Sequence, residues 1–366
     1  MSPKKILIVS MIWGHRSIAQ GIYDSLKDSG HNLRLEIIKI DPFLSKSYNV
    51  LYRFFPLLFK AAFQVSKFDS ANKIAYKYFE SGHFDIIEKT VRKAAPDIII
   101  NTYPGFNSSL EKLIKKYKFE HINVISDPWT FSKIHVTKGG INLVFDKFAL
   151  RKIKRLSPHA KSQAVGWFTG QKYYQAMDKA AARKNLWLDT NKFTICISGG
   201  SEGTYHVLKI VCSLIRRDQN LQILFMCGEN KQLYKLVAKT AKIFAKYRKI
   251  KVIPYRYTKK MDVFVKASDL VVGKAGPNTI FECVAAQVPF FAITHISGQE
   301  DGNLDLIKKY RIGYVEENPI NAVRKIREII KHPQTLKKLQ KPLSTLANYN
   351  AASSQRLNEI ISSLES

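Results

Sequence analysis

The sequence predicts an α/β protein made of two doubly wound parallel sheets. Short apolar, β-rich runs alternate with amphipathic helical stretches, which implies parallel strands covered on both faces. The alternation begins afresh near the middle of the chain. With 366 residues, the chain also exceeds the size at which a single core usually stops growing, about 250 residues.

The first series reads strand 4–10 (KKILIVS), helix 17–29, strand 33–40 (LRLEIIKI), helix 84–94, strand 97–103 (DIIINTY), helix 108–117 and strand 121–126 (HINVIS). A helix around 172–184 leads into the second series, with strands in FTICISGG, LQILFMCG, KVIPY, DLVVGKAG and PFFAITHISG. The tail, 342–364, reads as one last helix with apolar Leu343, Leu346, Leu357, Ile360, Ile361 and Leu364. The expected division is therefore 1–165, 166–341 and a C-terminal helix over 342–366.

Charge narrows the function classes. Lys plus Arg number 59 against 29 Asp plus Glu, a net charge of +30, so the surface attracts anions: nucleic acid, an anionic membrane face or phosphorylated small molecules. Residues 42–68 and 230–261 contain no acid at all, which also suits a plain solvated lysine face. No zinc module or aromatic RNA-stacking strand accompanies the charge, so nucleic acid is not the expected partner. The four cysteines lie far apart without metal-ligand spacing and read as buried thiols of a reducing compartment. The N-terminal apolar run is of strand length and ends in Gly-His, unlike a signal peptide. No stretch approaches the ~20 apolar residues that cross a bilayer.

In open parallel sheets, ligands bind beyond the carboxyl ends of the strands, and the loops there carry the chemistry. Gly199, Gly200 and Ser201 end the strand at 193–198 and let backbone N–H groups approach a phosphate. At another strand end, Lys274, Ala275, Gly276 and Pro277 turn the chain into a helix, with Pro suited to its first position and Asn278 or Thr279 able to cap it. Glu282, about one turn in, can accept hydrogen bonds from the paired hydroxyls of a ribose, or simply complement the helix dipole. The next strand end carries HISGQEDGN, whose Gln299, Glu300 and Asn303 suit sugar hydroxyls rather than phosphate. Together these loops describe a site for a nucleotide sugar.

GKAGPNTIFECVAAQVPFF followed by SGQEDGN resembles the C-terminal signature of glycosyltransferase family 28, which includes diacylglycerol galactosyl- and glucosyltransferases. The likeness extends through ISGGSEG, FMCGEN and MDVFVKASDLVVGKAG and, more faintly, into the first half. The resemblance implies a GT-B architecture, two facing Rossmann-like domains with an interdomain cleft, and inverting transfer from a UDP-sugar with no obligatory metal or other cofactor. It puts the diphosphate near Gly200, Ser201 and residues 274–278, Glu282 on the ribose, Gln299 and Glu300 at the donor sugar, and Tyr255 and Arg256 at the uracil. Pro277 stands where most relatives have glycine, and proline removes an N–H donor, which shifts the expected phosphate contact to Asn278.

On the acceptor side, MIWGHRSIAQGI resembles the family's N-terminal Gly-His loop. That makes His15 the expected general base, with a helix-capping histidine as the alternative. Asp127, in VISDPWTFSKIH, is expected to orient His15 or bind the acceptor. Relatives place a histidine five residues after that aspartate. Ser132 stands there in this chain and His135 comes later, which argues against a role for His135. The acid-free segment SYNVLYRFFPLLFKAAFQVSKF, with Tyr52, Arg53, Phe54, Phe55, Leu58 and Lys60, suits an element resting among anionic headgroups, or else a core helix.

The combined expectation is a hexosyltransferase moving sugar from a UDP-hexose to a lipid hydroxyl, diacylglycerol foremost. It would work as a peripheral protein on the cytoplasmic membrane face, bound to anionic phospholipid. The alternatives are N-acetylglucosamine transfer to a polyprenyl-diphosphate cell-wall precursor, against which stands the lone Gly14 before His15, and a basic nucleic-acid-binding protein.

Overall fold

The computed structural model describes residues 3–12, 14–39, 55, 58, 60–61, 64, 69–199, 213–214, 221–247 and 250–364. Two compact units emerge: residues Met1–Gln171 with Ile296–Gly302 and Tyr349–Ser366, and residues Lys172–His295 with Asn303–Asn348.

The first unit holds a parallel sheet of β1 (Lys5–Met11), β2 (Asn32–Ile38), β3 (Ile98–Asn101), β4 (Glu120–Val124), β5 (Ile141–Val144) and β6 (Ser162–Ala164). Their order among the described strands is β2-β1-β3-β4-β5-β6. The second unit holds β7 (Phe193–Ser198), β8 (Leu221–Met226), β9 (Lys251–Tyr255), β10 (Leu270–Lys274), β11 (Phe290–Thr294) and β12 (Gly313–Val315), ordered β12-β11-β10-β7-β8-β9. Every pairing in both sheets is parallel.

Continuous apolar runs explain the strands. Ile6, Leu7, Ile8 and Val9 of β1 are all buried, as are Ile195, Cys196 and Ile197 of β7, because helices cover both faces of each sheet. Burying such a side chain contributes about 1.5–3 kcal/mol. Strand order turns that packing into function. The chain reverses its direction of growth between β1 and β3 in one unit and between β7 and β10 in the other, and ligands bind at such switch points. At the second switch point, a Cβ on Gly273 would lie 2.1 Å from the Ser198 carbonyl oxygen, so only glycine lets β10 and β7 run together there.

The helices depart from expectation in instructive ways. The first spans Gly14–Leu26 rather than starting at Ser17, so His15 stands in its opening turn. The helix expected over 84–94 is the end of a longer one, Asp69–Ala94. The stretch expected as a helix over 172–184 begins in a 3-10 helix at Gln171–Tyr173, is irregular over 174–178 and becomes α-helical at Lys179–Asn185.

The tail is two helices, Gln340–Ala351 and Ser353–Ser363, and its last part returns to the first unit. Polar contacts hold it there. Arg356 donates to the Val165 carbonyl at 2.8 Å and its guanidinium sits 4.5 Å from the Tyr349 ring centroid, while the Tyr349 hydroxyl donates to the Phe145 carbonyl at 2.9 Å. Among the described residues no helix is long and apolar enough to cross a membrane.

Candidate active site

At the β1/β3 switch point of the first unit, His15 is held by backbone. Its Nδ1 lies 2.9 Å from the Thr102 carbonyl oxygen. A carbonyl only accepts, so Nδ1 carries the proton and Nε2 of the neutral ring keeps its lone pair. Thr102 is itself fixed: its N–H donates to the Val9 carbonyl at 3.2 Å and its hydroxyl to Ser10 Oγ at 2.8 Å. The Tyr103 ring meets the imidazole edge to face at 5.1 Å. Loss of water around the ring pushes the His15 pKa down to about 4, with the Thr102 bond opposing. The ring is therefore neutral near pH 7.

Asp127 follows β4 in a segment, 126–132, that is buried throughout. Its carboxylate partner is His135, with His135 Nε2 and Asp127 Oδ2 3.7 Å apart. The short 3-10 turn Lys133–His135 makes this possible by folding the later histidine back beside the aspartate. Ser132, at the position expected for histidine, starts that turn and its N–H donates to His135 Nδ1 at 3.2 Å. The orienting group for His15 is the Thr102 carbonyl, whereas Asp127 pairs with His135.

At the β7/β10 switch point of the second unit, Gly199 is buried at the end of β7, while Gly200 and Ser201 lie outside the described residues. The helix Pro277–Ala285 opens with Gly276 at its cap, Pro277 at its first position and no side-chain cap. Asn278 and Thr279 thus occupy an N-terminus whose dipole favours an anion. The Ala275 N–H donates to the Thr294 carbonyl at 2.8 Å, and Lys274 is half-buried beside it in sequence.

Glu282 receives a hydrogen bond from the Tyr173 hydroxyl. Burial raises its pKa to about 7, against the pull of Tyr173 and the Lys172 charge, while Asp262 adds to the rise. Burial and Glu282 together push the Cys196 thiol up to about 12, so that sulfur is inert.

The side chains expected at the donor sugar divide. Asn303 is buried and its Nδ2 donates to the Ala275 carbonyl at 2.8 Å, bracing the 274–278 loop from within the second unit. Glu300 is also buried and its Oε2 accepts the Ile296 N–H at 2.7 Å; its segment, with half-buried Gln299, groups with the first unit. Both carboxamide and carboxylate shape loops through backbone contacts. Tyr255 packs edge to face on Phe264 at 4.5 Å, and Arg256 is exposed beside it. Tyr52, Arg53 and Phe54 lie outside the described residues, while Phe55, Leu58 and Lys60 are exposed. Tyr173 and Thr102 carry no sequence signal as site residues; only the fold brings them to Glu282 and His15.

Two six-stranded parallel sheets, each with a switch point, define an α/β protein of the GT-B fold. Residues 194–356 match the glycosyltransferase family 28 C-terminal domain, and residues 15–139 match the monogalactosyldiacylglycerol (MGDG) synthase family. The chain is a glycosyltransferase whose second half resembles the family 28 C-terminal domain and whose first half resembles MGDG synthase. It is 24% identical over 352 residues to the processive diacylglycerol beta-glucosyltransferase of Staphylococcus saprophyticus, covering 91% of this chain and 86% of that protein. Among solved structures, a putative UDP-N-acetylglucosamine 2-epimerase from Listeria monocytogenes superposes with a TM-score of 0.65 at 12% identity, covering 98% of this chain and 95% of that one. Anabaena Alr3699/HepE in complex with UDP and glucose gives 0.57 at 13% identity, covering 99% and 100%. These likenesses in structure speak for the fold.

Proposed function

We propose that the protein transfers a hexose from a UDP-sugar to the free hydroxyl of diacylglycerol, with inversion at the anomeric carbon, on the cytoplasmic face of a membrane. The observation that carries this reading is the β7/β10 rim, where an uncapped helix N-terminus and the Glu282 carboxylate stand one turn apart on the helix Pro277–Ala285. A diphosphate suits the first and a ribose diol the second. The Staphylococcus saprophyticus relative, named for diacylglycerol glucosyl transfer and aligned over 91% of this chain, supports the lipid acceptor.

In this reading, His15 Nε2 takes the proton of the acceptor hydroxyl as its oxygen bonds to the anomeric carbon. The bond from that carbon to the UDP oxygen breaks, and UDP leaves with the electron pair. The developing negative charge meets the helix N-terminus and Lys274, a preorganised electrostatic role that asks for no metal or other cofactor. The net charge of +30, with exposed Phe55, Leu58 and Lys60, supports binding to anionic phospholipid rather than to nucleic acid.

The purified protein, incubated with diacylglycerol vesicles and separately radiolabelled UDP-glucose, UDP-galactose and UDP-N-acetylglucosamine, is expected to place label in the lipid extract with one hexose. Label in no lipid, together with salt-sensitive RNA retention and no flotation with anionic liposomes, would replace this reading with a nucleic-acid one.

A further inference from the structure

The first unit places a second imidazole near His15, with one ring nitrogen hydrogen-bonded to backbone and the other facing a carboxylate. His135 Nδ1 accepts the Ser132 N–H at 3.2 Å, which leaves the proton of the neutral ring on Nε2, the atom 3.7 Å from Asp127 Oδ2. The turn carrying it is locked from two directions. Asn123 Nδ2 donates to the His135 carbonyl at 2.7 Å, and Asn107 Nδ2 donates to the Ile134 carbonyl at 3.3 Å. Neither ring nitrogen can accept a proton from substrate without giving up Ser132 or turning away from the carboxylate. His15 is the reverse case, with Nδ1 protonated and Nε2 carrying the lone pair.

We infer that His135 is a positioning residue: a neutral imidazole that steadies the buried Asp127 carboxylate through its Nε2–H and leaves proton transfer to His15. The inference rests on the proposed acceptor-side role of His15. The charged groups facing His135 fit it. Asp127 lies on one side, while His15 and Lys152 are positive or can become so and disfavour a proton on His135. Lys152 is itself anchored, its ammonium donating to the Trp129 carbonyl at 2.6 Å and lying 4.6 Å from the Phe131 ring centroid. Two neighbouring imidazoles resist carrying charge together, so the ring that receives the substrate proton needs its neighbour neutral. The reaction requires no net proton uptake by His135.

The test uses the full chain. With ring-15N histidine at pH 7.5, His15 is expected as the Nδ1–H tautomer and His135 as the Nε2–H tautomer. In kinetics, His135→Ala is expected to lower kcat/KM for the lipid acceptor about tenfold while UDP affinity is unchanged. His135→Gln, whose carboxamide can accept from Ser132 and donate to Asp127, is expected to recover activity to within about threefold of wild type.

An Nδ1–H tautomer at His135 would overturn the inference, as would a Gln variant no better than the Ala variant, or an Ala variant with wild-type kcat/KM. The tautomers are read without turnover. A protein that shows them yet transfers no sugar therefore sinks the functional proposal and not this one.

Discussion

His15 and His135 of the first unit and Glu282 of the second are anchored by different means, and acid separates them. In the first unit backbone holds the histidines: Thr102 carbonyl on His15, Ser132 N–H on His135. His121 on β4 is 1% exposed with neither ring nitrogen hydrogen-bonded. Burial pulls all of them down, to about 4, about 4 and about 3. In the second unit a side chain, Tyr173, holds Glu282, and burial lifts that carboxyl to about 7.

Linkage then runs in opposite directions. A histidine whose folded pKa lies below its unfolded value of about 6.5 costs stability as pH falls from about 6.5 towards 4, because the unfolded chain binds the proton first. A glutamate raised from 4.5 to about 7 stabilises most below 4.5, and that contribution is lost as pH rises through 7. The difference shows that the burial which keeps the histidines neutral makes the first unit acid-labile, whereas in the second it makes the Glu282 carboxyl responsive near neutrality.

The largest effect expected follows from His121. A downward shift from 6.5 to about 3 corresponds to at most about 5 kcal/mol of stability lost on acidification. Urea unfolding followed by tryptophan fluorescence is the suitable measurement, since Trp129 and Trp167 are buried in the first unit while Trp187 of the second is 87% exposed. The first unit's midpoint is expected to fall steeply between pH 6.5 and 4.5, and His121→Leu is expected to flatten that slope. Equal acid sensitivity in wild type and variant would break the contrast between the units.

Next in size is the base. His15→Ala is expected to lower kcat by about 100-fold or more, the typical contribution of general-base catalysis, while calorimetric UDP affinity stays as in wild type. A loss in UDP affinity of similar size would place His15 in binding instead. Smaller again is Glu282→Ala, expected to weaken UDP about tenfold or somewhat more, in line with about 1.5–3 kcal/mol for hydrogen bonds to a charged group. Unchanged affinity would reduce Glu282 to a partner of the helix dipole.

How far the sequence could be read follows the same physics. Strands such as KILIVSM and FTICIS are continuous apolar runs, legible because both faces are buried. INLV, SQA and GYV, the strands β5, β6 and β12, are too short to stand out, and each is defined by its pairing with a neighbouring strand. Gly276-Pro277 announced a helix start correctly, since cap and first-turn chemistry is local. His135 was illegible because linear spacing cannot show that a 3-10 turn folds it onto Asp127. Nothing in the sequence shows that the Asn303 amide also braces Ala275, a contact that exists only once β10 and the helix Asp301–Tyr310 have packed.

The smallest effect expected belongs to Tyr173, and its sign distinguishes positioning from direct contact. Its hydroxyl lowers the Glu282 pKa, so Tyr173→Phe raises that pKa further above 7 and leaves more of the carboxyl protonated at neutral pH. A neutral carboxyl accepts fewer hydrogen bonds from a ribose than a carboxylate does. UDP affinity in the variant is therefore expected to fall by roughly threefold at pH 7, consistent with a net hydrogen-bond value near 1 kcal/mol, and to approach wild type by pH 8.5. Calorimetry across that range reads the difference directly. A deficit that stays constant with pH would mean that Tyr173 touches the nucleotide itself, and the side-chain anchoring that sets the second unit apart from the first would lose its functional meaning.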